Sequence, residues 1–179
     1  MGGDKFTSLI EAILFYETEV VSYEKLMRIT NLDKDKILDI VNELNLDYQK
    51  ALHGITIAEV AGGFAFQIKK DIFPEIRNIY NIRSKSRLSQ SALTVLSIIA
   101  YKQPVTKGEI EAIRGVSADN QVRNLIEKGL IEIVGRKETF GKPLLYGTTK
   151  EFLKHFNLKS IKDLPEINEL KSDEYSDDE

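Results

Sequence analysis

The chain of 179 residues is 42% hydrophobic and 30% charged, which suits one medium domain or two small ones. It contains no cysteine, so disulfides and cysteine-based zinc sites are excluded, and its two histidines, His53 and His155, lie too far apart for a local metal motif. No apolar run approaches the ~18 residues of a membrane span. These properties predict a protein of the reducing cytoplasm with no metal, no cofactor and no membrane partner.

Charge is distributed unevenly along the chain. Residues 1–83 carry 10 basic and 13 acidic side chains, residues 84–150 carry 11 and 6, and residues 151–179 carry 4 and 9. The formal net charge of -3 therefore hides a basic middle between two acidic ends.

The first half of the chain predicts three helices, a β-hairpin and a closing helix. Apolar residues at helical spacing and cap residues before them indicate the helices, and alternating residues indicate the strands. Gly62 and Gly63 allow the positive φ of a tight hairpin turn. The predicted elements are a helix over 7–17, a helix capped by Ser22, a helix capped by Asp33, strands over 55–60 and 64–68, and a helix over 72–80.

The second half repeats this order. Ser89 caps a buried helix over 89–101, which Pro104 prevents from continuing. Thr106 and Glu109 form a capping box for the next helix, since threonine and glutamate stand three residues apart. The apolar positions predicted to face inward in this and the neighbouring helices are Leu93, Leu96, Ile99, Ala100, Ile110, Ile113, Val122, Leu125 and Ile126.

The last part of the second half predicts a third helix and a hairpin. Ser117 caps the helix, and Gly129 ends it. The apolar period then changes from 3.6 to 2 over residues 130–134, and residues 144–146 form the returning strand after a polar loop. A helix over 149–156 and a short helix near 161–164 close this half.

The two halves share one plan, because apolar positions coincide when the chain is laid on itself 84 or 85 positions apart. Three helices followed by a hairpin are typical of a winged helix-turn-helix domain. The predicted fold is α+β and mostly helical, with two tandem winged helix-turn-helix domains. Its predicted parts are an N-terminal domain over 1–81, a linker over 82–87, a C-terminal domain over 88–165 and an acidic, disordered tail over 166–179.

Residue types argue against an enzyme. The segment from Gly135 to Lys142 resembles a phosphate-binding loop, but five residues separate its glycines where four are needed, and Pro143 replaces the required serine or threonine. Neither histidine has a nucleophile or carboxylate set around it in the sequence. We therefore predict no catalytic site.

DNA binding and protein binding both remain open from these residues. Arg136 and Lys137 of the hairpin loop can meet phosphates, but Asp119 and Glu127 on the third helix oppose a DNA backbone, as do the acidic residues after Asp33. A solvated helix face explains the same charges. A tandem winged-helix DNA-binding regulator therefore remains the alternative to a protein-interaction module. The side chains of the third helix that can read base edges are Asn120, Gln121, Arg123 and Asn124.

Two long segments resemble the bacterial segregation and condensation protein B family. They are LSQSALTVLSIIAYKQPVTKGEIEAIRGV (88–116) and GLIEIVGRKETFGKPLLYGTTKEFLKHFNLKSIKDLP (129–165), with EAILFY (11–16) as the clearest piece of the first half. The resemblance implies a non-enzymatic homodimer that binds the kleisin subunit, segregation and condensation protein A. Through that kleisin it implies contact with a structural-maintenance-of-chromosomes ATPase, in a condensin of the cytoplasm and nucleoid. Contact with DNA is then weak or indirect.

The resemblance also supplies candidate site residues. Arg114 and Arg136 match motif positions that have no backbone explanation, and arginine suits partner carboxylates. Lys142 stands where the wing motif often has arginine, which weakens a bidentate role there. The candidate kleisin-binding residues are Tyr101, Lys102, Gln103, Arg114, Arg123, Arg136 and Tyr146. The candidate dimer residues are Phe6, Leu9, Ile10, Ile13 and Phe15.

Overall fold

Each half of the chain builds the same succession of helices and strands in this computed structural model, which describes residues 3–80 and 88–166. The first half contains α1 (Gly3–Tyr16), β1 (Val21–Ser22), α2 (Tyr23–Thr30), α3 (Lys34–Tyr48), β2 (Ile55–Val60), β3 (Gly63–Ile68) and α4 (Phe73–Ile79). The second contains α5 (Gln90–Lys102), β4 (Val105–Thr106), α6 (Lys107–Arg114), α7 (Asp119–Glu127), β5 (Ile131–Arg136), β6 (Leu144–Thr148), α8 (Lys150–Phe156) and the 3-10 helix η1 (Ile161–Asp163). The predicted mixed, mostly helical class is confirmed.

Two predicted segments fall on residues that the structure does not describe. The predicted linker over 82–87 lies outside the described residues, and so do residues 167–179 of the predicted tail.

Each half contains a three-stranded antiparallel sheet, of which the sequence predicted two strands. The orders are β1-β3-β2 and β4-β6-β5. The strands that the sequence did not predict are β1 and β4. Each has two residues, which is too short to show an alternating pattern. Gly63 lies where β1 and β3 approach, and a Cβ there would come within 2.2 Å of the Val21 carbonyl oxygen. Glycine is therefore required for this close pairing.

Local capping explains most helix starts. Ser22 accepts a hydrogen bond from the Lys25 N–H at 3.3 Å, and Asp33 accepts one from the Lys36 N–H at 2.8 Å. Ser89 does the same for α5 at 3.2 Å. These three predicted caps are confirmed.

The capping box of α6 is complete. The Thr106 hydroxyl accepts from the Glu109 N–H at 3.3 Å, and the Glu109 carboxylate accepts from the Thr106 N–H at 2.8 Å. Gly115 then ends the helix with a φ of 74°, as the sequence predicted.

The start of α7 differs from the prediction. Its N-cap is Ala118, and the Ala118 N–H donates to the Glu111 carboxylate at 3.0 Å. The Ser117 hydroxyl instead donates to the Asp119 carboxylate at 3.0 Å. The predicted cap is wrong by one residue, since Ser117 precedes the N-cap, although its hydroxyl also accepts a hydrogen bond from the Asp119 N–H at 3.4 Å.

Each half has a hydrophobic core of its own. Buried residues of α1, α2, α3, β2 and β3 form the first, and buried residues of α5 to α8 with β4 to β6 form the second. Ile113 and Ile126, which were predicted to face inward, are exposed. The reason is that α6 and α7 are short and bury only a narrow stripe, Ile110 on one and Val122 and Leu125 on the other.

Candidate protein-interaction surfaces

An open groove of about 570 Å³ lies between α7 and the β5–β6 hairpin of the second half. Its apolar floor extends from α7 across to the hairpin, and Ile126 keeps 40% of its surface exposed there. Ile133 is also exposed on the opposite wall. The apolar lining residues are Val122, Ile126, Ile133, Pro143, Leu144 and Tyr146. We name this feature the α7 groove.

Two of the four charged side chains at the rim of the α7 groove form an ion pair. Lys107 forms an ion pair with Asp119, and the hydrogen bond from Lys107 lowers the pKa of the Asp119 carboxyl. Arg123 adds to that lowering by its charge, but it forms no hydrogen bond or ion pair with any residue in 3–80 or 88–166. Arg123 is therefore a cation available to a partner.

Gln103, a candidate kleisin-binding residue, is held inside the second half. Its side-chain oxygen accepts from the Thr148 N–H at 2.6 Å and from the Thr148 hydroxyl at 3.1 Å. Gly147 makes room for it, because a Cβ at Gly147 would lie 3.1 Å from the Gln103 oxygen and 2.9 Å from Val134. Gln103 therefore ties the end of α5 to β6.

Arg114 also has an internal explanation that the sequence did not reveal. Its guanidinium donates to the Ser117 carbonyl at 2.6 Å and to the Ser91 hydroxyl at 2.9 Å. It thus connects the turn after α6 to the first turn of α5. Arg114 and Ser91 are 23 positions apart in the sequence, so no local sequence pattern predicts their contact.

Three other candidates take part in contacts within the second half. The Tyr101 hydroxyl donates to the Pro165 carbonyl at 2.8 Å, and Arg136 donates to the Lys142 carbonyl at 3.2 Å across the hairpin loop. Tyr146 is only 7% exposed and belongs to the core, although its edge reaches the α7 groove. Its prediction as a surface contact is corrected to a core position with one edge in the groove.

The structure brings only two of the seven kleisin candidates together in one groove. Arg123 and Tyr146 both line the α7 groove, whereas Lys102 is exposed at the end of α5. Ile126 and Ile133 were not predicted as surface residues, because Ile126 was assigned to the core and Ile133 only to a strand over 130–134. A signal was present, since Ile126 directly follows the inward Leu125 and short helices bury few positions.

The first half presents a bare apolar stripe on α1. Phe15 and Tyr16 at the end of α1 are 81% and 85% exposed, and Leu9, which lies two turns before Tyr16, is 37% exposed. Ile10 is 0% exposed and packs in the core, so its predicted place in a dimer interface is corrected. Phe6 and Ile13 are partly buried against that core. We call Leu9, Phe15 and Tyr16 the α1 stripe.

No helix among the described residues is long and apolar enough to cross a lipid bilayer.

Comparison with known proteins places the chain in a family. The model of the family described as segregation and condensation complex subunit ScpB matches residues 8–167. Segregation and condensation protein B of Desulforamulus reducens is 40% identical over 167 residues, which cover 93% of this chain and 92% of that protein. The protein of the same name from Brevibacillus brevis is 39% identical, covering 93% and 86%.

Solved structures give matches as well. A conserved hypothetical protein from Chlorobium tepidum is 37% identical, with a TM-score of 0.42 over 87% of this chain and 98% of that one. A dimer of the ScpB N-terminal domain complexed with an ScpA peptide is 24% identical, with a TM-score of 0.40 over 44% and 92%. The match of the family model over most of the chain, with relatives this similar over nearly their whole length, shows that the chain belongs to the segregation and condensation complex subunit ScpB family.

Proposed function

We propose that this chain is a dimeric, non-enzymatic adaptor of a bacterial segregation and condensation complex, and that it binds the kleisin subunit ScpA. Residues 1–81 and 88–165 act as two tandem winged-helix domains, the first for dimerisation and the second for kleisin binding. Through the kleisin the adaptor reaches the ATPase of the complex on the nucleoid. Family membership gives the class of complex, and the α7 groove is the observation that carries protein binding.

The α7 groove supports a protein partner over a DNA duplex. A winged helix that reads DNA places its third helix in the major groove and needs a basic, polar surface there. Here the same surface presents exposed Ile126 and Ile133 with the acidic Asp119 and Glu127. Apolar anchors in a groove suit an amphipathic protein segment, and Arg123 can meet a carboxylate on it.

The α1 stripe supports a homodimer. Large apolar side chains exposed together on one helix are costly to leave in water and mark interaction sites. A second copy of the chain presents the same stripe, which gives the self-complementary contact of a twofold dimer.

Calorimetric titration of the full chain with the central segment of ScpA from the same organism tests the kleisin proposal. We expect Ile126→Asp, Ile133→Asp and Arg123→Glu each to weaken binding at least about tenfold, because they place charge in an apolar groove or reverse its cation. Ile79→Asp is the control, since Ile79 is exposed on α4 and outside the groove.

The outcomes separate the possible errors. Absence of binding by the unmodified chain would overturn the kleisin proposal, whereas groove variants that bind as tightly as the control would overturn only the assignment to the α7 groove. Sequence-selective duplex binding that weakens steeply with salt would instead support the DNA-binding regulator.

A further inference from the structure

We propose that the two halves of the chain are held against each other by a salt-sensitive clasp, in which residues 157–159 after α8 bind the turn between β2 and β3. This inference concerns an interaction surface within the chain and does not rest on kleisin binding.

The backbone of the β2–β3 turn is satisfied by the other half. Ala61 and Gly62 have φ values of 50° and 75°, so their N–H groups point out of the two-residue hairpin turn and find no partner within it. The Ala61 N–H donates to the Leu158 carbonyl at 2.9 Å, and the Gly62 N–H donates to the Lys159 carbonyl at 3.0 Å. The tip of the first half is thus bound by main-chain atoms of the second.

A turn after α8 presents these two carbonyls. Asn157 ends the helix in the left-handed conformation with a φ of 55°, and the Leu158 N–H bonds back to the Leu153 carbonyl at 2.8 Å. The Asn157 side chain also accepts a hydrogen bond from the Gln67 amide at 2.8 Å across the halves.

Two ion pairs flank the main-chain contact, and their charges are segregated by half. Lys159 lies 2.6 Å from the Glu59 carboxylate, and Lys154 pairs with Glu19. Both cations belong to the second half and both carboxylates to the first. The hydrogen bond that Lys154 donates to Glu19 lowers the pKa of Glu19, and the one that Lys159 donates to Glu59 raises the pKa of Lys159, so each pair is charged at neutral pH.

The Glu59 carboxylate is also oriented within its own half. The Tyr23 hydroxyl donates to it at 2.5 Å, and the Lys34 ammonium lies 4.3 Å above the Tyr23 ring. The Glu59 carboxylate is therefore oriented by the first half, independently of Lys159.

The clasp is polar, which is why it responds to salt. The described residues of each hydrophobic core come from one half alone, so no shared apolar core joins the halves. An open cleft of about 530 Å³ lies beside the clasp, lined from both halves. Exposed ion pairs are individually weak and are screened by salt, and domains joined without a large apolar interface move relative to each other.

Electron-spin distance measurements on the full chain test the clasp. The chain has no cysteine, so labels on Leu52→Cys and Phe140→Cys, which are fully exposed in different halves, attach only there. An excess of unlabelled chain restricts the measurement to distances within one molecule. We expect one narrow distance distribution at low salt that broadens at about 1 M salt, where the screening length falls to about 3 Å.

Charge variants give the decisive comparison. Lys154→Glu with Lys159→Glu should broaden the distribution at low salt, and adding Glu19→Lys with Glu59→Lys should narrow it again. Lys102→Glu with Lys162→Glu makes the same change in net charge at exposed positions outside the clasp and should leave the distribution narrow. A distribution that the first pair leaves unchanged, or that the exchanged charges fail to narrow, would overturn the clasp.

Discussion

The first helices of the two halves occupy equivalent places but differ in what covers them. Phe15 and Tyr16 at the end of α1 correspond, 85 positions later, to Ala100 and Tyr101 at the end of α5. The first pair is almost fully exposed, whereas Ala100 is buried and Tyr101 is half-buried with its hydroxyl bonded to Pro165.

The difference arises from the segment that closes each half. In the second half Leu158, Ile161 and Leu164 pack against the core, and Leu158 and Leu164 lie beside the end of α5. In the first half the closing helix α4 buries none of its residues. Two units with the same order of elements thus have different surfaces, because the chain covers the end of α5 and leaves the end of α1 exposed. The closing segment, and not the order of the helices, determines which apolar residues stay exposed in each half.

The largest effect expected from this comparison is on the stability of the second half. Phe152 on α8 is buried, and its ring centroid lies 4.9 Å from that of Phe156. Phe152→Ala should therefore lower the free energy of unfolding by about 3–5 kcal/mol. Phe73→Ala on α4 is the matched control, since Phe73 is exposed, and we expect a loss below about 1 kcal/mol. Urea unfolding measures both. Equal losses would show that the two closing segments pack alike, contrary to the comparison.

A smaller effect is expected on dimerisation. Phe15→Asp places a charge in the proposed α1 stripe and should weaken the homodimer by about 2 kcal/mol, or roughly 30-fold in Kd. Light scattering over a dilution series measures this. The monomer should remain folded, because Phe15 makes little contact with the core.

The matched control for the dimer is Leu46→Asp, which changes an exposed leucine on α3 in the same half. A dimer unaffected by Phe15→Asp, or weakened equally by Leu46→Asp, would contradict the role of the α1 stripe.

Local chemistry made much of this fold predictable. Ser22, Asp33, Ser89 and Thr106 were found from sequence because a cap acts within three residues of itself. The predicted Ser117 cap was wrong by one residue, and the Glu111 contact at that turn, which joins residues seven positions apart, has no such local signal.

The candidate sites were harder to predict for the same reason. The bonds from Gln103 to Thr148 and from Arg114 to Ser91 span 45 and 23 residues, so their internal roles appear only in three dimensions. Motif membership identified these arginine and glutamine residues but did not distinguish a surface contact from an internal tie.

The second helices of the two halves, α2 and α6, begin with different hydrogen bonds. Ser22 and Thr106 cap equivalent helices, but the third position after the cap is Lys25 in one and Glu109 in the other. Of these two helices, α6 alone therefore has a capping box. The hydrogen bond from Lys137 at 2.5 Å, and then that from the Thr106 N–H, lower the pKa of Glu109 to about 2 from its ordinary value of 4.5.

The sign of the pH dependence follows from that lowering. Because the pKa of Glu109 is lower in the folded chain than in the unfolded chain, its contribution to stability is fully present above about pH 4.5 and is lost as the pH falls toward 2. Titration of the Glu109 carboxyl by NMR should give a midpoint near 2 that rises in Lys137→Met. Lys25 has no carboxylate, so α2 lacks this contact, and its acid-sensitive group is instead Glu24, whose pKa is lowered by hydrogen bonds with its own backbone and with Ser22. A Glu109 midpoint near 4.5 in the unmodified chain would show that the capping box and the ion pair to Lys137 do not hold the carboxylate in solution. It would contradict the proposed difference between the first turns of α2 and α6.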